Sequence, residues 1–399
     1  MPVAHDAAAM APGIAQLRHA IHREPEIGLH LPGTQRKVLD FLAGLPLEIS
    51  TGSALSSVTA VLQGGGGRGG PVVLLRGDMD ALPVTERTGL EYASQTEGAM
   101  HACGHDLHTA MLAGAARLLA ARQHELPGTV VFMFQPGEEG LAGARHMIEE
   151  GVLDAGGKRP DAAYALHVFS AEPTGVVSTR PGPMMASSQV LEVTVHGQGG
   201  HASTPHRAAD PIPAACEMVT ALQTMVTRRF DIFDPVVITV GTFHAGTASN
   251  VIPDQASFEA TVRTFSPVAW HRVRESALAV VNSIASAHGL TATTGFRDGY
   301  PVTVNDDAEA RFAAGVATGL LGEAGCVAQA NPLTGAEDFS FVLEQVPGAF
   351  LMLGACPPGT DPQTAPTNHA ADAVFDDSVL ATGAALYAEL ALRRLAAAG

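Results

Sequence analysis

The segment MHACGHDLHT, residues 100–109, places three histidines, one cysteine and one aspartate within ten positions. The cysteine, Cys103, is one of only four in the chain and precedes His105 by two residues. Thiolate and imidazole groups suit Zn²⁺ and similar transition metals, and a nearby carboxylate adds tolerance for Mn²⁺ or Co²⁺. Cys103 alone would be interpreted as a small buried apolar residue. With His105 beside it and carboxylates at neighbouring strand ends, the pattern favours a metal ligand.

Cys103 and His105 are two positions apart, so they cannot share one face of a helix. We therefore expect them in a loop that leads into a helix over residues 109–122. His101 and His108 have two interpretations that the sequence leaves open. In the first interpretation, one of the two histidines orients a metal ligand. In the second, both are ordinary surface or helix-start histidines.

Carboxylates and a histidine also accompany three apolar runs that are typical of buried strands. They are Asp78 and Asp80 after VVLLR (72–76), Glu138 and Glu139 after VVFMF (130–134), and His167 in AAYALHV (162–168). Ligands of open parallel sheets bind beyond the carboxyl ends of the strands. Residues that are distant in the sequence are therefore expected to converge on one edge of the sheet.

Glu138 and Glu139 are adjacent, and neighbouring carboxylates repel each other unless a positive charge lies between them or they point apart. One division of roles is a metal ligand and a general base, since a carboxylate can take the proton of water that a metal has made acidic. The alternative is an ordinary acidic turn at the start of a helix, where negative charge is favoured.

Loops in the second half of the chain contribute weaker candidates. They carry His201 in GQGGHASTPH (197–206), Asn250 in HAGTASNVIPD (244–254), Glu337 and Asp338 in TGAEDFSF (334–341), and His369 in APTNHAADAVFDD (365–377). A lone histidine is usually structural. Arg263 lies on the strand after HAGTASNVIPD, and it could form an ordinary surface ion pair instead of binding a ligand. His369 follows the last core strand, FLMLGA (350–355), where a further ligand at the sheet edge is expected.

Alternating strand and helix patterns in the first half predict a doubly wound, mainly parallel α/β sheet. GGGGRGG at 64–70 predicts a surface loop, because a strand rather than a helix follows it. From residue 184 the pattern becomes β-α-β-β-α-β, the ferredoxin-like split unit. We expect a catalytic domain formed by residues 1–183 and 297–399, and an inserted α+β ferredoxin-like domain at 184–296.

The chain of 399 residues carries 40 acidic and 23 basic residues, a net charge of −17. This balance argues against nucleic-acid binding, which needs a basic surface. The amino terminus lacks the basic and apolar regions of a secretory signal, and no uninterrupted apolar run is long enough to span a bilayer. Four widely spaced cysteines favour a reducing compartment over a disulfide framework. We therefore expect a cytoplasmic protein that binds neither nucleic acid nor membranes.

These motifs together resemble the M20 family of metallopeptidases, specifically its amidohydrolase branch, which includes hippurate hydrolases and N-acyl-amino-acid amidohydrolases. The resemblance extends from LRHAIHREPEIGLH (17–30) to NHAADAVFDD (368–377). Its landmarks, in order, are RGDMDALPV, HACGHD, FQPGEEG, GGHASTPH, ASNVIPD and GAEDF. The resemblance implies a catalytic domain with a two-metal site and a smaller lid domain that also mediates homodimerisation.

Carried over motif by motif, the resemblance implies roles for residues of the catalytic domain. The metal ligands would be Cys103, His105, Glu139, His167 and His369. Cys103 would bridge the two ions in place of the aspartate used in other branches. Glu138 would be the general base, and Asp80 would support the site from beneath.

In the lid domain, the resemblance implies that His201 polarises the scissile carbonyl. Asn250 and Arg263, helped by the backbone around Gly335, would bind the carboxylate of the substrate. Several motifs depart from the usual pattern of the branch, and the departures bear on substrate preference, since every ligand and the base are present. They are Leu107 in place of a common glycine, Phe169 and Ser170 in place of an aromatic–proline pair, and the absence of a proline after His369.

The implied activity is hydrolysis of the amide bond of N-acyl amino acids, of the hippurate or N-acetyl kind, by a metal-activated water. Two divalent ions, of Zn, Mn, Co or Ni, would be the cofactors. A dipeptidase or carboxypeptidase of the same family, acting on dipeptides, is the first alternative. The second is a catalytically inactive binding protein, which would be expected to have lost Glu138 or a ligand.

Overall fold

The computed structural model describes residues 3–65 and 69–398, so residues 66–68 of the predicted glycine-rich loop lie outside the described residues. The described residues fall into two compact units. The first comprises those within Met1–Met184, Val304–Asn331 and Asp338–Gly399, and the second comprises Met185–Thr303 and Pro332–Glu337. Residue 296, the expected end of the inserted domain, lies inside a strand. The sequence pattern also does not predict that the short segment 332–337 joins the second unit.

The first unit begins with helices and then alternates strands with helices. Its elements up to the second unit are α1 (Val3–Arg23), α2 (Pro32–Leu42), β1 (Glu48–Thr51), β2 (Val58–Gln63), β3 (Val72–Asp78), α3 (His105–Ala120), β4 (Thr129–Gln135), α4 (Glu138–Leu141), α5 (Gly143–Glu149), β5 (Ala162–Phe169), β6 (Val177–Thr179) and β7 (Gly182–Met185). The following elements are β8 (Gln189–His196), β9 (Gly200–His201), α6 (Pro211–Arg229), β10 (Val236–Ala245), β11 (Val251–Ile252), β12 (Gln255–Thr264), α7 (Pro267–Ala287) and β13 (Thr291–Asp298). The chain then forms β14 (Thr303–Asn305), α8 (Asp307–Leu321), β15 (Cys326–Ala328), α9 (Ser340–Leu343), β16 (Gly348–Gly354) and α10 (Val379–Ala398).

An eight-stranded sheet with the order β1-β2-β4-β3-β5-β16-β6-β15 lies at the centre of the first unit. Its four central strands, β4, β3, β5 and β16, run parallel to one another. β3, β4 and β16 are buried at every position, which requires continuous apolar runs rather than alternation. The predicted mainly parallel α/β fold is confirmed.

The helix that carries the candidate ligands begins earlier than predicted. α3 starts at His105 rather than at residue 109, so His105 belongs to its first turn. Gly104, just before it, has φ +84°, and a Cβ atom there would lie 2.4 Å from Cγ2 of Val168. Only glycine satisfies both conditions without strain. This glycine therefore allows the chain to turn between Cys103 and His105.

The second unit contains a four-stranded antiparallel sheet in the order β10-β12-β8-β13, together with α6 and α7. Burial alternates along β8, as in a strand with one face on a core. Asp210 and Ser266 accept hydrogen bonds at the starts of α6 and α7, which fixes where these helices begin. This strand order and element sequence are those of the ferredoxin-like unit.

Within residues 3–65 and 69–398, no helix combines the length and the apolar character needed to cross a membrane.

Candidate metal centre

Five side chains of the first unit that the family resemblance implies as metal ligands lie together in two groups of three. Within each group the donor atoms are all within 4.8 Å of one another. We call them the His167 group, formed by Cys103, His105 and His167, and the His369 group, formed by Cys103, Glu139 and His369. Cys103 belongs to both groups, which is the arrangement that a bridging ligand requires.

The spacing of the donor atoms fits a shared metal ion. Sγ of Cys103 lies 3.4 Å from Nε2 of His167 and 3.3 Å from Nε2 of His369. Oε1 of Glu139 lies 3.3 Å from the same nitrogen of His369. The ligands of a tetrahedral zinc site, each about 2.0–2.3 Å from the ion, are separated by roughly 3.3–3.8 Å. Both groups could therefore hold a divalent cation.

Backbone carbonyls fix the orientation of two of the histidine rings. Nδ1 of His105 lies 2.9 Å from the carbonyl oxygen of Asp80, and Nδ1 of His167 lies 2.9 Å from that of Val168. Because a carbonyl can only accept, each Nδ1 donates its hydrogen and each Nε2 keeps a free lone pair. Nε2 of His105 is buried without a hydrogen-bond partner among the described residues. Histidines that bind metals are held in this way.

Asp80 positions the backbone that carries the two glutamates. Its Oδ1 and Oδ2 accept hydrogen bonds from the backbone N–H groups of Glu138 and Glu139, each at 3.0 Å. Gly137 precedes them with φ +72°, and a Cβ atom there would lie 2.4 Å from Cδ2 of Leu29. The carboxylate of Asp80 and this glycine together determine where the glutamates lie relative to β3.

The two adjacent glutamates have different surroundings. Glu139 contacts His369, as described above, whereas the side chain of Glu138 is 6% exposed and groups with His105 and Glu139. α4 is a single turn with non-helical backbone angles at Glu139 and Gly140. The two carboxylates therefore do not stand at the start of a regular helix, where an ordinary acidic turn would be favoured.

The electrostatic surroundings of His369 and Glu139 favour the charged form of each side chain. Hydrogen bonds to Cys103 and Glu139 raise the pKa of His369 to about 10. Burial raises the pKa of the Glu139 carboxyl, but the hydrogen bond to His369 and the charge of His105 outweigh it and hold this pKa below its ordinary value. Burial and the nearby His108 hold the pKa of His167 well below its ordinary value. Surroundings that favour a proton on His369 also favour a divalent cation in its place.

His108 lies behind the ligands and supports them. Its Nδ1 is 2.6 Å from Oδ1 of Asp78, and its Nε2 accepts a hydrogen bond from the backbone N–H of Val168 at 2.8 Å. Both ring nitrogens are thus in use, so His108 is not a ligand although it lies close to His105. Because His108 accepts a hydrogen bond from the residue that follows His167, it helps to hold the segment that carries this ligand. This contact fits the interpretation in which His108 orients a ligand.

A buried ionic network that the sequence patterns do not identify anchors the first turn of α3. Oδ2 of Asp106 lies 2.9 Å from Nε of Arg18 and 2.8 Å from Nδ1 of His22. Although burial lowers the pKa of His22, the charge of Asp106 raises it to about 9. Arg18 and His22 are four residues apart on the buried face of α1. A charged pair on an otherwise apolar helix face was the signal in the sequence that could have identified this network.

His101, also buried, makes no hydrogen bond through either ring nitrogen within the described part of the chain.

Two of the remaining candidates lie on neighbouring segments of the second unit. His201 belongs to β9, which pairs with β11, and Oγ of Ser203 lies 2.8 Å from its Nδ1. Asn250 immediately precedes β11, and its carbonyl accepts a hydrogen bond from the N–H of Ala202 at 3.1 Å. Both His201 and Asn250 are exposed.

The other two candidates are also in the second unit but on different segments. Arg263 is half-buried in β12, and its Nη1 donates to Oγ1 of Thr261 at 2.8 Å. Gly335 is exposed and lies in the segment 332–337. The structure thus brings together the candidates of the first unit and places these four in the other compact unit.

Comparison with known proteins places the chain in a family. Residues 74–393 match the model of peptidase family M20/M25/M40. N-acetylcysteine deacetylase of Bacillus subtilis is 37% identical over 380 residues, which cover 95% of this chain and 96% of that protein. Thermostable carboxypeptidase 2 of Saccharolobus solfataricus is 36% identical over 388 residues, which cover 95% of each chain.

A solved structure agrees with these relatives. The crystal structure of the Bacillus subtilis YXEP protein, a dinuclear metal binding peptidase from the M20 family, has a TM-score of 0.84 and 34% sequence identity to this chain. The superposition covers 98% of this chain and 99% of that chain. The chain therefore belongs to peptidase family M20, in its amidohydrolase branch.

Proposed function

We propose that this protein is a metal-dependent hydrolase that cleaves the amide bond of N-acyl amino acids. The observation behind the proposal is that two groups of metal-type donors share Cys103 while the buried carboxylate of Glu138 lies beside them. Similarity to an N-acetylcysteine deacetylase over 95% of the chain supports an N-acyl amino acid as the substrate.

The donor set fits two divalent ions, one in the His167 group and one in the His369 group. Thiolate, imidazole and carboxylate donors suit Zn²⁺ and also accept Mn²⁺, Co²⁺ or Ni²⁺. When bound, such ions lower the pKa of water and polarise a carbonyl oxygen. The similarity to a dinuclear metal binding peptidase supports two ions rather than one.

Glu138 is the residue of this chain that would move the proton. Its carboxylate lies near the donor atoms of His105 and Glu139, yet neither group of three needs it to be complete. In the proposed reaction it accepts a proton from the attacking water and returns that proton to the leaving nitrogen. Its burial keeps bulk water from competing for this proton.

The candidates of the second unit would bind the substrate. Nδ1 of His201 is already engaged by Ser203, so Nε2 of its exposed ring is the nitrogen that would polarise the scissile carbonyl. Arg263 and Asn250, with the backbone at Gly335, would bind the carboxylate of the amino-acid product. Guanidinium and amide groups are suited to this task because they donate hydrogen bonds to both oxygens.

Replacing His201 by alanine is expected to lower kcat by about 10²–10³-fold, the usual effect of losing one donor to a developing oxyanion. Metal content should stay at the wild-type level because His201 belongs to neither donor group. The matched control is His206→Ala, which removes an exposed histidine from the same loop. Amino-acid release and metal analysis would be measured on all three proteins, and an unchanged rate in His201→Ala would remove this residue from the mechanism.

Metal affinity is expected to depend on pH through His369. With a pKa of about 10, His369 is protonated at neutral pH, so a metal ion must displace one proton from it. The affinity of the His369 group should therefore rise by about tenfold per pH unit between roughly pH 7 and 9 and level off as pH passes the pKa. Chelator competition at several pH values would measure it. The His369→Gln variant has no such proton to lose, and an equal slope in that variant would contradict the assignment.

A second candidate function is cleavage of peptide bonds, because a thermostable carboxypeptidase is similar over nearly the whole chain. A panel of N-acetyl amino acids, N-benzoyl amino acids and dipeptides, tested on metal-reconstituted protein, distinguishes the two. We expect the highest kcat/KM for an N-acyl amino acid. A higher value for dipeptides would make the protein a peptidase, and no release from any substrate would make it an inactive binding protein.

We also propose that the protein is a cytoplasmic homodimer. The chain has only four cysteines, widely spaced, which suits a reducing compartment better than a disulfide framework. The homodimer rests on the resemblance of the second unit to lid domains that mediate dimerisation. Light scattering during size-exclusion chromatography would measure the mass, with twice the chain mass expected.

A further inference from the structure

Asn368, the residue before His369, joins three segments of the first unit that each carry a candidate ligand. Its Nδ2 donates hydrogen bonds to the backbone carbonyls of Cys103 at 3.2 Å and Val168 at 2.9 Å. Its Oδ1 accepts a hydrogen bond from the N–H of Ser170 at 3.0 Å. One amide side chain therefore links the loop before α3, the end of β5 and the loop that contains His369.

Ser170 completes this arrangement from the other side. Its hydroxyl lies 3.1 Å from Oδ1 of Asn368 and 2.7 Å from the carbonyl oxygen of Pro366. The contacts require an amide at 368, since its nitrogen offers two hydrogens and its oxygen accepts from Ser170. They also require a residue with an N–H at 170, and a proline would have none. The serine, one of the departures from the usual pattern, is thus a partner of Asn368.

His369 depends on such support more than the other ligands do. Its side chain is 56% exposed, whereas Cys103 and His167 are buried. Its backbone has φ +73°, in the left-handed region that residues with a Cβ rarely adopt. The N–H of His369 donates to the carbonyl of Ala102 at 2.8 Å. The backbone of its loop therefore brings this exposed ring to the two side chains that its Nε2 contacts, Cys103 and Glu139.

We propose that Asn368 and Ser170 form a clasp that positions His369 against Cys103 and thereby sets the affinity of the His369 group for a divalent cation. Asn368 is a positioning residue in this account, because it acts through the segments it holds. The clasp rests on the proposed function, in which the His369 group holds one of two ions. The other ion should be less affected, because the rings of the His167 group are buried and Nδ1 of His105 is held by the carbonyl of Asp80, which the clasp does not contact. A smaller loss is expected there too, because Asn368 donates to the Val168 carbonyl that orients His167 and to the carbonyl of the shared ligand Cys103.

The test replaces Asn368 by leucine, which has a similar size but can neither donate nor accept. Thr367→Ala is the matched control, because it truncates the exposed side chain of the preceding residue in the same loop. Each metal-free protein is titrated with Co²⁺ to obtain the number and affinity of bound ions. The thiolate-to-cobalt charge-transfer absorption reports the contact of Cys103 with the metal. kcat and KM for an N-acetyl amino acid are measured on the loaded proteins.

Losing a residue that orients metal ligands typically costs about 10–100-fold in metal affinity or activity. We expect Asn368→Leu to lose affinity by about this factor for the ion of the His369 group and by a smaller factor for the other ion, with a weaker charge-transfer absorption. kcat should fall while KM stays close to the wild-type value. Thr367→Ala should match the wild type in every measurement.

Other results would overturn the clasp. A folded Asn368→Leu with wild-type Co²⁺ affinities and absorption would do so, even if its metal-free form were less stable. If the leucine variant does not fold, Asn368→Ser replaces it, because a serine side chain is too short to span the segments. We expect the serine variant to show the same selective loss of metal affinity. Wild-type Co²⁺ affinities in the serine variant would overturn the clasp. If the wild-type protein binds no Co²⁺, the proposed function and the clasp are both overturned. If the wild-type protein binds two Co²⁺ ions and the variants bind them with the same affinities, the clasp alone is overturned.

Discussion

Replacing Glu138 by glutamine is expected to reduce kcat for N-acyl amino acid hydrolysis by about 10²–10⁴-fold, the contribution typical of a general acid–base group. Glutamine keeps the shape of the side chain but cannot accept and return a proton as a carboxylate does. Glu138 is not required by either donor group, so bound metal should remain at the wild-type level. The experiment combines the rate of amino-acid release with elemental analysis of the same preparations.

Glu149→Gln is the matched control for this substitution. Glu149 ends α5, and its side chain is 64% exposed, so the same chemical change there should leave the rate unchanged. Near-normal turnover in Glu138→Gln would defeat the assignment of the general base. Loss of metal together with loss of rate would instead identify Glu138 as a ligand.

Replacing Cys103 by alanine is expected to weaken the binding of both ions by more than about 100-fold, because the lost sulfur belongs to both donor groups. Hydrolysis should disappear with the metal. Titration against a chelator would give both affinities, and the release assay would follow the rate. A loss of one ion alone would show that Cys103 does not bridge.

Two further variants sharpen the cysteine experiment. Cys103→Asp supplies carboxylate oxygens that can also bridge two ions, so it should retain more metal than Cys103→Ala. Cys216→Ala removes an exposed thiol from the second unit and should behave as the wild type. Wild-type metal affinity in Cys103→Ala would contradict a role for this residue in metal binding.

The parallel sheet of the first unit was predictable because its strands are buried on both faces. Continuous apolar runs such as VVLLR and VVFMF leave few other solutions, and β3, β4 and β5 contain the predicted ranges. Because these strands run parallel, the residues after them share one edge of the sheet. This is why Asp80, Glu138 and His167 could be placed in one region from their sequence positions.

The start of α3 was not predictable from the local pattern. Residues 105–109 contain two histidines and an aspartate, so they lack the apolar periodicity of a buried helix. Their polar groups are satisfied by residues far away in the chain, including Arg18 and Asp78. Such pairings exist only in the folded chain, and no local pattern reports them.

The clasp residue Asn368 was missed for the same reason. Its hydrogen-bond partners are Cys103, 265 positions earlier, and residues at the end of β5. The departure at Ser170 was visible in the sequence, but its meaning depends on the contact with Asn368. Likewise, the membership of 332–337 in the second unit depends on contacts such as that between the N–H of Ala186 and the carbonyl of Leu333.

The most direct test of the central claim is anomalous diffraction from crystals of the wild-type protein grown with Zn²⁺ or Co²⁺. Two anomalous peaks per chain are predicted, one within the His167 group and one within the His369 group, with Sγ of Cys103 bound to both. A single peak, or two peaks that do not share Cys103, would contradict the account.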